Sequence, residues 1–190
     1  MEWTEDDAKF LRDFRNIQDC DDIKLKQEIK TRLLDNKYIV HVLHNQDLDG
    51  EDPEEYFGIN IRPYYMIPET QHNVKNFLCF ETSYNEIGRY NGAIKTQQII
   101  FYILCHEADC IDNETSVARH DLLAALVMDE FNYAILSCGR IKLVEDKPSV
   151  TDNKYLTRTL IFETVTDNNL VKTKNGQTSF ANKSVADIKF

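Results

Sequence analysis

The sequence is poor in the residues that interrupt or loosen a fold, with 6 glycines and 4 prolines among 190 residues. This scarcity excludes a collagen-like, a low-complexity or a wholly disordered chain. A long apolar run is also lacking, since the longest, residues 99–105, is far shorter than the roughly 20 residues that a membrane helix needs. What remains is a globular chain with 42% hydrophobic residues, of a length suited to one domain.

Basic residues are scarce relative to acidic ones. The chain has 22 lysines and arginines against 32 aspartates and glutamates, and its formal net charge is −10. Such a surface repels phosphates, so we expect no stable binding to duplex DNA and none to a membrane surface. Residues 1–7 are acidic and lack the basic and apolar stretches of a signal peptide, so we expect no signal peptide.

The five cysteines are an odd number in a chain long enough to form its own core. We therefore expect them to be reduced, in a cytoplasmic setting. Most of them lie in or beside apolar runs, where a free cysteine acts as a small hydrophobic residue. The five are Cys20, Cys79, Cys105, Cys110 and Cys138.

Apolar spacing predicts two helices at the start of the chain. The first begins near Thr4 and places Phe10, Leu11, Phe14 and Ile17 on one face. In the second, over about 22–35, Leu25, Ile29 and Leu33 repeat at four-residue spacing, and Asn36 fits the position after the helix end.

The remaining patterns predict strands and one long helix. Residues 99–105 are continuously apolar, which predicts a central strand covered on both faces. Asp112 or Asn113 can cap a helix over 114–131. Further strands are predicted at 38–43, at 57–61 up to Pro63, at 77–84, at 139–144 and at 155–165, with loops at 86–92 and 146–148.

The resulting order is α-α-β-β-β-β-α-β-β, which predicts an α+β fold with a largely antiparallel or mixed sheet flanked by helices. We expect residues 1–166 to form a single domain in which 1–21 are an N-terminal helical extension. Residues 167–190 are polar, so we expect a tail that is ordered only by contact with a partner.

The helix over 114–131 contains an apolar run, residues 122–128, of nearly two full turns. A helix with one buried stripe does not need so many apolar side chains, so we expect burial on both sides, against the sheet and against a second helix or a neighbouring chain. The candidate interface residues are Leu122, Leu123, Leu126 and Val127.

One segment imitates half of a calcium-binding loop. Asn45, Asp47 and Asp49 alternate before Gly50, as oxygen ligands do in such loops, but the twelfth position holds Tyr56 in place of a bidentate glutamate. The flanks are strand-like, so a solvated acidic turn is the better interpretation, and we predict no metal site.

Other candidate chemistry is equally incomplete. Cys105 and His106 are adjacent on a predicted strand and point to opposite faces, and no second cysteine pair has zinc-site spacing. His41 and His44 also point oppositely if their segment is a strand. No phosphate-binding loop or nucleophile motif is present. We predict no catalytic residues and no cofactor.

Taken together, residues 22–62 and 96–168 resemble tail-terminator and related neck proteins of long-tailed bacteriophages. The resemblance rests on the long apolar strand, on the helix capped at Asp112-Asn113 with its Leu122-Leu-Ala-Ala-Leu126 segment, on a strand from Gly139, and on a strand that ends at Asp167-Asn168.

This resemblance implies a non-enzymatic virion protein that forms a ring, usually a hexamer, which ends the tail tube and joins it to the head connector. The implied partners are further copies of the chain, the connector or head-completion protein and the tail-tube protein. The implied location is the virion, and the host cytoplasm during assembly.

Two alternatives stand beside this interpretation. One is a generic adaptor domain. The other is a metal-dependent enzyme acting on nucleic acid, which would gather carboxylates around a divalent ion. Its candidate ligands are Asp47, Asp49, Glu107, Asp109 and Asp112.

Overall fold

The computed structural model describes residues 4–6, 8–9, 21–48, 52–66, 76–87, 94–151 and 154–167. Most of the predicted first helix and the predicted tail beyond residue 167 lie outside these residues. The helices are α1 (Asp21–Asp35), α2 (Lys37–Leu43) and α3 (Arg119–Phe131), with short 3-10 turns at Pro53–Tyr56 and Glu107–Asp109. The strands are β1 (Ile61–Arg62), β2 (Asn76–Ile87), β3 (Ile94–His106), β4 (Ile135–Leu136), β5 (Gly139–Arg140), β6 (Lys142–Val150) and β7 (Tyr155–Asp167).

Five of the strands form one mixed sheet in the order β1-β2-β3-β7-β6. The short β1 pairs parallel to β2, and the other three pairings are antiparallel. Strands β4 and β5 form a separate two-stranded sheet directly after α3. The predicted α+β class is confirmed, and so is the central position of the apolar strand over 99–105.

The main core lies between one face of this sheet and the helices. Phe101 on β3 is at its centre, with ring centroids 4.9 Å from Phe131 on α3 and 5.7 Å from Phe162 on β7. Leu25, Ile29 and Leu33 of α1 are fully buried in the same core, as their four-residue spacing predicts.

The opposite face of the sheet is covered less completely. A small cluster of Phe77, Cys79, Leu104 and Tyr155 is buried there, with Met66 and Tyr102 packed against it. Ile100 and Tyr102 on β3 remain half-buried. The prediction that this strand is covered on both faces is therefore right for the helical side and only partly right for the other.

Residues 38–43 form helix α2, so the prediction of a strand there is wrong. Asn36 is the N-cap of this helix, because its Oδ1 accepts from the backbone N–H groups of Tyr38 and Ile39 at 3.2 and 3.3 Å. The seven-residue helix buries Ile39, Val40, Val42 and Leu43. Burial and the cap outweigh the preference of β-branched residues for strands.

The strand predicted at 57–61 is also largely wrong. The chain makes a 3-10 turn at Pro53–Tyr56, capped by the side chain of Asp52, and only Ile61–Arg62 joins the sheet. Gly58 has a φ of +86°, which turns the chain before β1 can begin. Ile59 is left exposed, so the apparent alternation does not reflect a buried strand face.

Two further boundaries differ from the prediction. Strand β6 continues through the predicted loop at 146–148, and Pro148 is tolerated because β6 is an edge strand in the described sheet. Helix α3 begins at Arg119, with Ala118 as N-cap, and not at 114. Asp112 caps a separate turn, in which its Oδ2 accepts from the backbone N–H of Thr115 at 2.9 Å.

Helix α3 contacts β3 and β7 on one side and α2 on another. The predicted second helix is therefore α2, while Ala125 and Asp129 remain exposed to solvent. In the described part of the chain, no helix has both the length and the apolar character that a bilayer crossing requires.

Candidate functional site

Polar side chains converge at one end of the sheet, where α2 ends, β2 begins, β3 ends and α3 begins. Asp109, in the 3-10 turn after β3, is the centre of this group. His44 Nδ1 lies 2.9 Å from Asp109 Oδ2, and Asn76 Nδ2 donates to the same oxygen at 2.8 Å. Arg119 Nε lies 3.6 Å from Asp109 Oδ1. We call Asp109, His44, Asn76, Arg119 and Asp112 the polar cluster.

Arg119 is a buried cation that holds two carboxylates. Only 2% of this residue is exposed, and its Nη1 lies 2.9 Å from Asp112 Oδ1 while donating to the Val42 carbonyl at 3.4 Å. A buried arginine needs such compensation because its desolvation is costly. Hydrogen bonds from the side chain and the backbone N–H of Thr115 lower the pKa of Asp112, and the charge of Arg119 lowers it further.

A chain of buried asparagines extends the polar cluster to β1. Asn45 Nδ2 donates to Asn60 Oδ1 at 2.7 Å, and Asn60 Nδ2 donates to the Asn76 carbonyl at 2.9 Å. Asn76 Nδ2 also donates to the Leu43 carbonyl at 3.1 Å. These bonds satisfy backbone groups of loops that meet at the sheet end, so the cluster ties α2, β1 and β2 together.

Little in the sequence predicts the polar cluster. The prediction of a strand at 38–43 placed His44 wrongly, since its side chain is directed by a helix end with a φ of +47°. One usable signal is that Asn76 directly precedes the apolar residues 77–80 and that Asn45 follows the apolar segment 38–43. An arginine three positions before the continuously apolar residues 122–128 of a helix is a second.

A groove of about 830 Å³ opens beside the polar cluster. Its apolar lining comes from Leu34, Tyr38, Val40, Leu48, Pro53 and Tyr56, and its polar lining from Asp35, Lys37, His41, His44, Asn45 and Glu114. A smaller groove of about 460 Å³ shares Asp35, Lys37 and Tyr38 with it and is lined also by Arg32, Asn36 and Glu130. Tyr38 is 59% exposed and lines both grooves.

The calcium-like segment is only partly described, because Asp49 and Gly50 lie outside the described residues. Asn45 is buried, its Oδ1 accepts from the Asp47 backbone N–H at 3.0 Å, and its Nδ2 is bound to Asn60. Tyr56, at the twelfth position, is buried in the core. The absence of a metal site at Asn45, Asp47 and Asp49 stays a prediction.

The other carboxylates of the enzyme alternative are already paired. Asp109 and Asp112 meet at Arg119, which places a cation where a divalent ion would have to bind. Glu107 is exposed and pairs with Lys154 at 2.9 Å. Within the described residues, no group of three or more histidines, cysteines, aspartates or glutamates is arranged to hold a metal ion.

Cys105 and His106 point to opposite faces of the sheet, as predicted. Cys105 is buried in the main core, whereas the His106 ring lies 5.1 Å from the Tyr155 ring on the other face. Burial raises the pKa of the Cys105 thiol and raises that of Cys79 to about 11. Cys79, Cys105 and Cys110 are free thiols.

The four candidate interface residues on α3 divide into two pairs. Leu123 and Val127 have no exposed surface, because they face the core. Leu122 and Leu126 are partly buried and pack against the edge of the core. Only the second pair therefore retains surface that a neighbouring chain could cover.

These contacts define an α+β protein with a buried polar cluster and an open groove. The YomW family model matches residues 31–164, more than two thirds of the chain, so the chain belongs to the YomW family, a family of phage-type proteins. Among curated proteins, none matches the chain. Among solved structures, a chain described as "Virion of native gene transfer agent (GTA) particle" is similar, with 17% identity and a TM-score of 0.40 over 58% of this chain and 80% of that one.

Proposed function

We propose that the protein is a structural component of a phage virion, and that it forms a ring in the neck which ends the tail tube and joins it to the head connector. Membership of the phage-type YomW family is the observation that carries this proposal, because the match extends from α1 to β7. The proposed partners are further copies of the chain, the connector or head-completion protein and the tail-tube protein. The proposed location is the virion, after assembly in the host cytoplasm.

The chemistry of the polar cluster supports a structural role over an enzymatic one. Its charged groups pair with one another: Arg119 faces Asp109 and Asp112, and Asp109 also binds His44 and Asn76. Side chains used in this way hold loops in place and are poorly placed to bind a divalent ion. The charge of −10 further disfavours a protein that holds nucleic acid.

The test is assembly with purified neck and tail components. We expect the protein, mixed with tail-tube protein and connector, to form rings that negative-stain images show at the tube end. We also expect no binding to duplex DNA at physiological salt. Light scattering that shows only a monomer, alone and in every mixture, would exclude the ring.

The enzyme alternative is tested with the same preparation. Cleavage of nucleic acid that depends on Mg²⁺ or Mn²⁺ and is lost in Asp109→Asn would support that alternative against the structural proposal. A variant with the surface change Glu55→Gln serves as the control, because Glu55 is exposed and lies outside the polar cluster.

A further inference from the structure

One nitrogen of the His44 ring lies against the polar cluster, and the other does not. His44 Nδ1 is 2.9 Å from Asp109 Oδ2 and 3.1 Å from Asp109 Oδ1. Within the described part of the chain, no group forms a hydrogen bond or an ion pair with His44 Nε2. The His44 side chain is 34% exposed and lines the 830 Å³ groove, so Nε2 is the ring nitrogen that is available to the groove.

The contact with Asp109 determines which nitrogen of a neutral His44 ring carries the proton. A carboxylate at neutral pH only accepts hydrogen bonds, so Nδ1 has to be the donor in this contact. Asp109 Oδ2 also accepts from Asn76 Nδ2 at 2.8 Å, and the same Nδ2 donates to the Leu43 carbonyl at 3.1 Å, which fixes the orientation of that amide. A neutral imidazole with its proton on Nδ1 has a lone pair on Nε2, and Nε2 is then a hydrogen-bond acceptor.

The orientation of the His44 ring is held by its surroundings. Its backbone is left-handed, with a φ of +47°, and its N–H donates to the His41 carbonyl at the end of α2. Asp109 cannot easily follow a turn of the ring, because Asn76 binds one of its oxygens and the buried Arg119 lies 3.6 Å from the other. An acceptor that is oriented in advance loses little conformational entropy when it binds a ligand.

We propose that His44 Nε2 is the acceptor of a binding site in this groove, and that the ligand is a small apolar group with one O–H or N–H donor. The donor would bind Nε2, and the apolar body would contact the apolar part of the groove lining. That lining consists of Leu34, Tyr38, Val40, Leu48, Pro53 and Tyr56. This proposal is independent of the proposed ring, because it concerns one groove within one copy of the chain.

The ionisable side chains at the rim of the groove are less suited to orient a ligand. His41 Nε2 lies 3.6 Å from Glu114 Oε2, and both side chains are largely exposed. Lys37 Nζ lies over the Tyr38 ring, 5.0 Å from its centroid, and Asp35 is exposed. Exposed charges are hydrated and contribute little to a specific contact. His44 differs from them because it is half-buried and because a carboxylate fixes its proton.

The position of the proton is measured by NMR. Long-range ¹H–¹⁵N correlation spectra at alkaline pH, where histidine rings are neutral, show which ring nitrogen is protonated. His44→Asn identifies the His44 signals, because asparagine tolerates a left-handed backbone. His41→Asn is the matched control, since His41 lines the same groove, and it should leave the His44 signals in place. We expect the proton of wild-type His44 on Nδ1, and a proton on Nε2 would overturn the inference.

The ligand class is tested with two probes of similar shape, p-cresol and toluene, of which only p-cresol has a hydroxyl donor. We expect p-cresol to shift the His44 Nε2 signal and to bind about fivefold more tightly than toluene, the effect of one hydrogen bond. In His44→Asn this preference should disappear, whereas His41→Asn should keep it. Equal affinities in the wild type, or no binding of either probe, would overturn the ligand assignment. Neither result bears on the proposed ring, which is tested by assembly with the neck components.

Discussion

His44 Nδ1 lies 2.9 Å from Asp109 Oδ2, and this contact joins the end of α2 to the end of β3 across 65 positions of sequence. His44 reaches Asp109 from a left-handed backbone conformation, with a φ of +47°. Its backbone N–H donates to the His41 carbonyl at 3.1 Å and so ends the helix. One residue therefore closes α2 and anchors it to the polar cluster.

Replacing His44 separates these two roles. His44→Ala loses the contact with Asp109 and keeps the unfavourable backbone, whereas His44→Gly loses the same contact but relieves the backbone. We expect His44→Ala to be less stable than His44→Gly by about 1 kcal/mol, measured by urea denaturation. Equal stability of the two variants would show that the backbone conformation costs nothing here.

Substitution of Arg119 should lower the stability of the protein strongly. Arg119→Met leaves Asp112 and Asp109 without their buried cation, and we expect a loss of about 3–5 kcal/mol in the free energy of unfolding. Lys30→Met, which breaks the more exposed pair with Glu54, is the control and should cost no more than about 1 kcal/mol. Similar losses of unfolding free energy in Arg119→Met and Lys30→Met would contradict a stabilising role for the polar cluster.

Asp112 should make stability depend on pH in the acid range. Its pKa is lowered in the folded protein from an ordinary value of 3.8, chiefly by the hydrogen bond from the Thr115 hydroxyl. The stabilisation is therefore complete above pH 3.8 and is lost as the pH falls through the folded value. We expect Asp112→Asn to have a lower free energy of unfolding than the wild type near neutral pH. The difference between the two free energies should shrink below about pH 4. A difference that stays constant from neutral to acid pH would contradict this.

The two kinds of leucine on α3 should respond differently to truncation. Leu123 is fully buried, so Leu123→Ala should cost about 2–5 kcal/mol. Leu122 is only partly buried, so Leu122→Ala should cost clearly less. Chemical denaturation of both variants measures the difference. The reverse order would mean that α3 buries another face in solution, for instance against a neighbouring chain.

The acidic segment from Asp47 to Glu55 should not bind calcium. We expect the melting temperature to be unchanged by calcium at sub-millimolar concentration, since only a bound ion would stabilise the fold. A rise of several degrees that disappears in Asp47→Ala/Asp49→Ala would contradict this expectation.

Helix α1 and strands β2, β3 and β7 could be predicted because the apolar patterns that specify them are formed by residues close together in the sequence. The four-residue spacing of Leu25, Ile29 and Leu33 specifies a buried helical face by itself. The unbroken apolar run over 99–105 specifies a buried strand in the same way. The α+β class follows from these elements and their order.

The candidate site was much less predictable. Asp109 and Asp112 could be selected as carboxylates, but their role depends on Arg119, and the groove depends on residues from α1, α2 and the turn before β1. Helix α2 illustrates the reason: six residues that favour a strand become helical once Asn36 caps them and the core buries four of them.

The sequence by itself determined the acidic net charge, which segments are apolar and the periodicity of those segments. The α+β class follows from that periodicity and from the order of the elements. Tertiary structure alone decided that Pro148 stays in a strand because β7 lies beside it, and that Arg119 is buried because Val42, 77 positions away, and Asp112 compensate it. The physical reason is the same in each case. Apolar periodicity is a property of neighbouring residues, whereas hydrogen bonds and ion pairs at the sheet end join residues that are adjacent only after the chain has folded.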